Sequence, residues 1–164
     1  MRKLFSNGLA IAAGVVSVPG IVTSVEGRLP VAPTPAYHDD PRLEMLERFL
    51  QKADAPARVV SRVFLHEADR YDLDWRLLPS ISIIESCGGK TARNNNLFGW
   101  DAGRAEFSSM SDGIRKVAYN LANSRRYKDK DLDELLVTYN PNPEYPGKVK
   151  SVMRRLARSE AVAE

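Results

Sequence analysis

The sequence predicts a mainly α domain with one small β-hairpin. Apolar residues recur at helical spacing in six segments between residues 41 and 157, and acidic residues or prolines stand at several of their starts. Only residues 97–108 combine a polar turn with flanking apolar residues, the pattern of a short hairpin. A length of 164 residues suffices for one ordinary domain with its own core.

Composition excludes several classes of function. The formal charge of +3 falls to about +1 without Arg2 and Lys3, which is too weak a balance to predict nucleic-acid binding. Basic clusters in the C-terminal third are typical of a solvated helix face. One cysteine cannot form an internal disulfide, and neither His38 nor His66 belongs to a cluster with metal-ligand spacing. No metal or other cofactor is expected.

The N-terminal region predicts export. Residues 1–25 have a basic start, an apolar run and small residues near its end, which is typical of a signal peptide; an uncleaved N-terminal anchor is the alternative. Residues 26–40 are rich in proline and predict an extended linker. The domain is expected to occupy residues 41–158 and to be followed by a tail at 159–164. Export would place the chain in the periplasm or cell envelope, or outside the cell.

The first three helices are predicted from start signals and apolar faces. The pair Asp40-Pro41 supplies an N-cap carboxylate and a proline at the first helical position. Pro56 is expected to open the second helix, and Asp72 or Asp74 to cap the third. The apolar faces are Leu43, Leu46, Phe49, Leu50 and Ala53 in the first helix, and Val59, Val60, Val63, Phe64 and Ala68 in the second.

The second half of the domain is predicted to return to helix after the hairpin. Leu97-Phe98-Gly99-Trp100 and Ala105-Glu106-Phe107 flank the polar turn Asp101-Ala102-Gly103-Arg104. Helices are then expected near 112–123, 131–139 and 145–157, the last two joined by an Asn- and Pro-rich segment.

Glu85 is the candidate catalytic residue because of its place in the third helix. It follows an apolar helical pattern and precedes Cys87-Gly88-Gly89, where the glycines predict the helix end. Loss of water and the negative end of the helix dipole both disfavour a charged carboxylate there. Both effects raise the pKa of the carboxyl group, which keeps a general acid protonated near neutral pH. The alternative is an ordinary solvated Glu at a helix end.

Three features occur in a fixed order: Glu85-Ser86, Asn95-Asn96-Leu97-Phe98-Gly99-Trp100, and Thr138-Tyr139-Asn140-Pro141. In this arrangement residues 42–157 resemble the lysozyme-like superfamily, particularly soluble lytic transglycosylases and bacterial endo-β-N-acetylglucosaminidases. The Glu-Ser pair and the Tyr-Asn element are similar to the transglycosylases, and the Asn-Leu-Phe-Gly element to the glucosaminidases. The Gly-Leu-Met-Gln element that lines the transglycosylase cleft is replaced here by Asn-Leu-Phe-Gly-Trp.

The resemblance implies a lysozyme-like α+β domain whose hairpin lies beside an active-site groove. It implies a monomeric enzyme that cleaves β-1,4 bonds between N-acetylmuramic acid and N-acetylglucosamine in peptidoglycan, with Glu85 as general acid and base. A lone Glu implies assistance by the substrate's N-acetyl group and closure of a 1,6-anhydro ring by its C6 hydroxyl. If Glu106 or Asp101 crosses the groove, hydrolysis by two carboxylates is expected instead; otherwise both are solvated turn residues.

Six further residues are expected to bind the glycan: Ser86, Asn96, Phe98, Trp100, Tyr139 and Asn140. Aromatic rings offer flat apolar faces to sugars, although core filling is an equal alternative for Phe98. Tyr139 is also expected to hydrogen-bond the carboxyl of Glu85. The competing hypothesis is a non-catalytic glycan-binding envelope protein on the same fold, favoured by the absent cleft element.

Overall fold

The computed structural model describes residues 37–158, and within them the chain is mainly helical, as predicted. The six α-helices are α1 (Pro41–Lys52), α2 (Ser61–Arg70), α3 (Leu77–Ser86), α4 (Met110–Asn123), α5 (Leu132–Tyr139) and α6 (Tyr145–Ala157). Short 3₁₀ turns cover Tyr37–Asp39 and Pro56–Val60. The predicted signal peptide or anchor, linker residues 26–36 and the tail lie outside the described residues. None of the helices in this part of the chain has the length and hydropathy needed to cross a membrane.

Helix α3 has the most apolar sequence of the helices and lies in the core. It packs against α6 and α2, while α2 also contacts α4 and α1. The side chains of Leu77, Leu78 and Ile81 on α3 are almost completely buried. Burial of each such side chain stabilises the fold by about 1.5–3 kcal/mol. The helix that carries Glu85 is therefore held on several sides before its C-terminal end reaches the surface.

The helix starts follow the predicted signals in part. Asp40 caps α1, since its side chain accepts a hydrogen bond from the backbone N–H of Arg42 at 2.8 Å. Asp131 and Glu134 form a reciprocal capping box on α5. Neither Asp72 nor Asp74 caps α3: the N-cap is Arg76, and Asp74 instead accepts from the backbone N–H of Arg76 at 2.9 Å.

Pro56 opens a 3₁₀ turn, and the α-helix begins only at Ser61. A 3₁₀-helix has three residues per turn, so its side chains point in different directions from those of an α-helix. Val59, predicted to face inward, is consequently 78% exposed. The rest of the predicted face lies inside or partly inside, with Phe64 and Ala68 fully buried.

The hairpin predicted for residues 97–108 is not formed, and this segment consists of turns. None of residues 97–108 is in an extended strand, and the predicted turn residues Asp101, Ala102 and Gly103 all have left-handed φ values of 54°, 52° and 81°. The N–H of Gly103 donates to the carbonyl of Gly99 at 2.9 Å, a local bond rather than a ladder bond. Leu97 and Phe98 are drawn fully into the core on one side of these turns.

Candidate active site

Glu85 is the penultimate residue of α3, and the backbone after it turns sharply away. Cys87 ends the helix in a left-handed conformation with φ 52°. The N–H of Cys87 donates to the carbonyl of Ile83 at 3.1 Å, and that of Gly88 to the carbonyl of Ser82 at 3.0 Å. The bond from the left-handed residue Cys87 to the carbonyl four residues earlier is that of the αL capping motif, and together the two bonds satisfy carbonyls of the last helical turn. The helix thus ends beside the glycine pair, as predicted, but Cys87 takes the left-handed capping conformation.

The end of α3 is also locked against the turn that precedes α2. A Cβ atom added to Gly88 would lie 2.4 Å from the Cβ of Ala55, and Gly88 has φ 65°. The N–H of Ala57 donates to the carbonyl of Gly88 at 2.9 Å. Because this contact leaves no room for a side chain at position 88, the distance between the two segments is fixed, and with it the position of Glu85.

The carboxyl group of Glu85 is half-buried and meets a neutral donor. The hydroxyl of Tyr145, at the start of α6, donates to Oε1 at 2.7 Å. Burial raises the pKa of Glu85 above its usual value, and the Tyr145 hydroxyl offsets part of that rise. Within residues 37–158, no lysine, arginine or histidine forms an ion pair with Glu85. The raised pKa and its cause agree with the sequence prediction.

Gly99 brings backbone against the other oxygen of the same carboxyl group. Its φ is 57°, and a Cβ atom there would lie 2.8 Å from Oε2 of Glu85. Two constraints therefore require glycine at this position: the left-handed backbone conformation and the close approach of the Glu85 carboxyl. The loop that carries the Asn-Leu-Phe-Gly-Trp sequence thus ends against the candidate acid.

Ser86 and Asn96 hold this loop in place and are themselves buried. The Ser86 hydroxyl donates to the carbonyl of Leu97 at 2.7 Å. The side chain of Asn96 closes on Trp100 through both backbone groups: its Oδ1 accepts from the Trp100 N–H at 2.9 Å, and its Nδ2 donates to the Trp100 carbonyl at 3.0 Å. Both residues were expected to bind substrate, and the structure instead places them as supports of the loop that approaches Glu85.

Phe98 takes the core-filling alternative, and Tyr139 occupies a position other than the one expected. Phe98 is fully buried, and its ring packs edge-on against Phe64 with centroids 6.5 Å apart, so it offers no face to a ligand. Tyr139 does not bond Glu85: its hydroxyl donates to the carbonyl of Phe98 at 2.6 Å. Tyr145 takes the expected place beside the carboxyl, and its ring stacks on that of Tyr139 at 5.8 Å.

A cleft of about 550 Å³ lies next to Glu85. Its wall contains three aromatic residues in mutual contact: Trp100, Tyr127 and Tyr139, with ring centroids 5.9–6.4 Å apart. The other lining residues are Gly99, Asp101, Ala102, Asn120, Ser124 and Arg126. Glu85 is not among them, and its carboxyl meets the cleft wall at Gly99. Trp100 and Tyr139 were predicted from the sequence as ligand contacts, and Tyr127 was not.

The candidate second carboxylates are both exposed and each has a partner other than Glu85. Asp101 lines the cleft but is exposed and paired with Arg104, with an Oδ1–Nη2 distance of 2.7 Å. Glu106 is exposed and accepts a hydrogen bond from Asn94 Nδ2 at 2.8 Å. Asn140, expected to bind substrate, ends α5, and its Oδ1 accepts from the N–H of Asn142 at 3.0 Å. Its side chain therefore shapes the turn between α5 and α6.

Metal-ligand geometry and similarity to known proteins give no further assignment. Among residues 37–158, no three His, Cys, Asp or Glu side chains are grouped so that they could hold a metal ion. The chain matches no protein-family model, no curated protein and no solved structure.

Proposed function

We propose that this domain cleaves peptidoglycan at the β-1,4 bond between N-acetylmuramic acid and N-acetylglucosamine, with Glu85 as general acid and base. The observation that carries the proposal is the environment of the Glu85 carboxyl. It is half-buried, it accepts a bond from a neutral phenol, and it adjoins an aromatic-walled cleft. A carboxylic acid in such a place holds its proton at a higher pH than a solvated one.

In the proposed reaction, Glu85 gives its proton to the glycosidic oxygen as the bond from that oxygen to the anomeric carbon breaks. The resulting carboxylate then removes a proton from the hydroxyl group that attacks the anomeric carbon. Tyr145 suits both stages, because burial and the neighbouring Glu85 raise the pKa of its phenol and keep it a donor. Its hydroxyl steadies the carboxyl oxygen in both protonation states.

The attacking hydroxyl distinguishes two forms of this chemistry. Asp101 is exposed and paired with Arg104, and Glu106 is exposed and accepts a hydrogen bond from Asn94, so each candidate second carboxylate already has another partner. This favours a single-carboxylate mechanism, in which the C6 hydroxyl of the sugar closes a 1,6-anhydro ring. Hydrolysis of the kind carried out by endo-β-N-acetylglucosaminidases is the alternative, and it requires a second carboxylate or an activated water.

The fold and the location belong to the same proposal. A core helix that ends at the acid, a loop that returns against it and a terminal helix that supplies a tyrosine together support a lysozyme-like arrangement without a hairpin. Peptidoglycan lies outside the cytoplasm, so the proposed substrate requires export, for which residues 1–25 are suited in sequence.

One observation favours a second candidate function. The lining of the cleft includes three aromatic rings but not Glu85. Stacked rings bind sugars without any need for an acid, so a glycan-binding protein that does not cleave its ligand would present the same wall.

Zymography on purified peptidoglycan with the wild type and Glu85→Gln separates the two candidates. Cleavage that is lost in Glu85→Gln, while circular dichroism shows an intact fold, supports the enzyme. Retained binding with no cleavage by the wild type would establish the glycan-binding alternative. Mass spectrometry of the products then identifies the attacking group, because an anhydro end is lighter than a reducing end by one water. Reducing ends whose formation is lost in Glu106→Gln or Asp101→Asn would replace the single-carboxylate mechanism with hydrolysis.

A further inference from the structure

Arg126 is a cation in the cleft wall without an acidic partner. It lies in the turn after α4 and lines the cleft beside Tyr127. No carboxylate of the described chain forms an ion pair with it. The other charged residue of the wall, Asp101, is already neutralised by Arg104. The cleft therefore has one uncompensated charge, and that charge is positive.

The guanidinium of Arg126 is held in position by two contacts. Its carbon atom lies over the ring of Tyr127, 5.5 Å from the centroid. Its Nη2 donates to the backbone carbonyl of Thr138 at 2.9 Å. Arginine has five N–H donors, so donors remain for a ligand after this bond. A planar fork that is oriented in advance loses little side-chain freedom when it binds a carboxylate.

Two neutral polar side chains share the wall with Arg126. Asn120 lies on α4, one turn before Ser124, and its Nδ2 donates to the carbonyl of Lys116 at 2.8 Å. The hydroxyl of Ser124 is buried in this wall and has no hydrogen-bond partner within residues 37–158. A buried hydroxyl without a partner is costly, and rotation toward the cleft would let a ligand oxygen supply one.

We infer that Arg126, with Ser124 beside it, is a specificity site for a carboxylate carried on the bound saccharide. The inference rests on the proposed function, since it takes the partly exposed Trp100 and Tyr139 of the cleft wall as the surface on which sugar rings lie. Arg126 binds the carboxylate through its free N–H groups, and these two aromatic residues bind the sugar. A neutral glycan contacts the aromatic residues but not Arg126, so the site selects acidic glycans.

Two carboxylates of peptidoglycan have this chemistry. One is the lactyl carboxylate of a muramic acid without its peptide, and the other is a carboxylate of the stem peptide. In a peptide-bearing muramic acid the lactyl group is an amide and has no charge. Ligands of each kind therefore distinguish the two sources.

The test measures binding by calorimetry in the Glu85→Gln background, so that no ligand is cleaved. The ligands are a peptide-free oligosaccharide of N-acetylmuramic acid and N-acetylglucosamine, its peptide-bearing form, and a chito-oligosaccharide of equal length. Arg126→Gln is expected to weaken binding of an acidic ligand about 10- to 100-fold, as for loss of a charge-assisted hydrogen bond. Affinity for the neutral chito-oligosaccharide should change less than about 2-fold. Ser124→Ala should have a smaller effect in the same direction.

Arg125→Gln is the matched control, because Arg125 is the adjacent exposed arginine and does not line the cleft. It should leave all three affinities unchanged. A selective loss on the peptide-free ligand assigns the lactyl carboxylate, and a selective loss on the peptide-bearing ligand assigns the peptide. Equal losses on acidic and neutral ligands, no loss, or no binding of acidic ligands would overturn the inference. Failure of the wild type to cleave peptidoglycan would disprove the proposed enzymatic activity but would not affect this comparison of binding affinities.

Discussion

Glu67 on α2 and Glu85 on α3 are both carboxyl groups withdrawn from water, and their neighbours differ in charge. Glu67 is 1% exposed; its Oε1 lies 2.9 Å from Nδ1 of His66 and 3.8 Å from Nε of Arg115 on α4. Glu85 is half-buried and faces a tyrosine hydroxyl and the backbone of Gly99. Glu67 is thus more deeply buried but has an arginine and a histidine beside it, whereas Glu85 has only the neutral neighbours Tyr145 and Gly99.

The depth of burial alone therefore does not describe the environment of a carboxyl group in this protein. The ion pair of Glu67 with Arg115 links α2 to α4, which is a structural task. A neutral donor leaves the cost of burying the charge largely in place, so the proton is held more tightly. Glu85 has the second environment, and it is also the residue that meets the cleft wall at Gly99.

The sharpest test of this comparison exchanges each carboxyl for an amide. Glu85→Gln should lower the rate of peptidoglycan cleavage by about 10²–10⁴-fold, the usual contribution of a positioned general acid. Glu67→Gln should keep the cleavage rate of the folded protein and lower the free energy of unfolding by about 1–3 kcal/mol, because its bonds to His66 and Arg115 weaken. Turnover assays and urea unfolding measure the two effects. A large loss of activity in a folded Glu67→Gln would erase the distinction.

A second test concerns the contact between Gly99 and Glu85. Gly99→Ala should lower activity about 10²-fold, since the new methyl group overlaps Oε2 and displaces the carboxyl. It should also destabilise the fold by about 1–3 kcal/mol through backbone strain.

The matched control for that test is Gly103→Ala. Gly103 has φ 81°, and nothing lies within 4 Å of the Cβ position, so this variant has the strain without the contact. Comparable activity losses in both variants would show that loop conformation, and not the approach to Glu85, governs the site.

A third test uses the two stacked tyrosines. The Tyr145 hydroxyl lowers the pKa of Glu85, so Tyr145→Phe should raise that pKa further. Since the acid must be protonated, the alkaline limb of the kcat/KM profile should move to higher pH. Tyr139→Phe removes a bond to a backbone carbonyl and should leave the limb in place, with a stability loss of about 0.5–1.5 kcal/mol. A shift in Tyr139→Phe alone would reverse the roles assigned to the two residues.

The smallest expected effect is on stability as a function of pH. Folding raises the pKa of Glu85 from its usual 4.5, so the stability linked to its protonation is fully present below pH 4.5. That contribution is lost as pH rises through the folded-state pKa. The wild type should therefore lose stability relative to Glu85→Gln between acidic and neutral pH. The exposed Glu106→Gln serves as the control, and a flat difference for Glu85→Gln would contradict the raised pKa.

Much of the helical framework was predictable because its signals are local. Asp40 and Pro41 begin α1, the last helix spans residues 145–157 as expected, and Glu85 stands at a glycine-marked helix end. These features depend on periodicity and on the cap residues of one segment. The predicted start of α3 was wrong. Asp74 accepts a hydrogen bond from the backbone N–H of Arg76, the residue before the helix, and does not cap the helix itself.

The features that were not predicted depend on distant parts of the chain. The hairpin prediction failed because Asn96 satisfies both backbone groups of Trp100 with its side chain, which the pattern of apolar residues does not reveal. Tyr139 and Tyr145 flank one turn, and the path of that turn decides which hydroxyl reaches Glu85. Tyr127 and Arg126 lie in a polar segment that predicts only a loop, and the fold places them beside Trp100.

The interlock between Gly88 and Ala55 has a consequence for how this sequence can change over generations. With 2.4 Å between the Ala55 methyl and the position of any new Cβ at residue 88, no side chain can be added at position 88 unless the segment of Ala55 moves away. Such a movement would displace the end of α3, and Glu85 with it, from its contacts with Gly99 and Tyr145. Position 88, which does not line the cleft, is therefore expected to remain glycine in any descendant that retains the site.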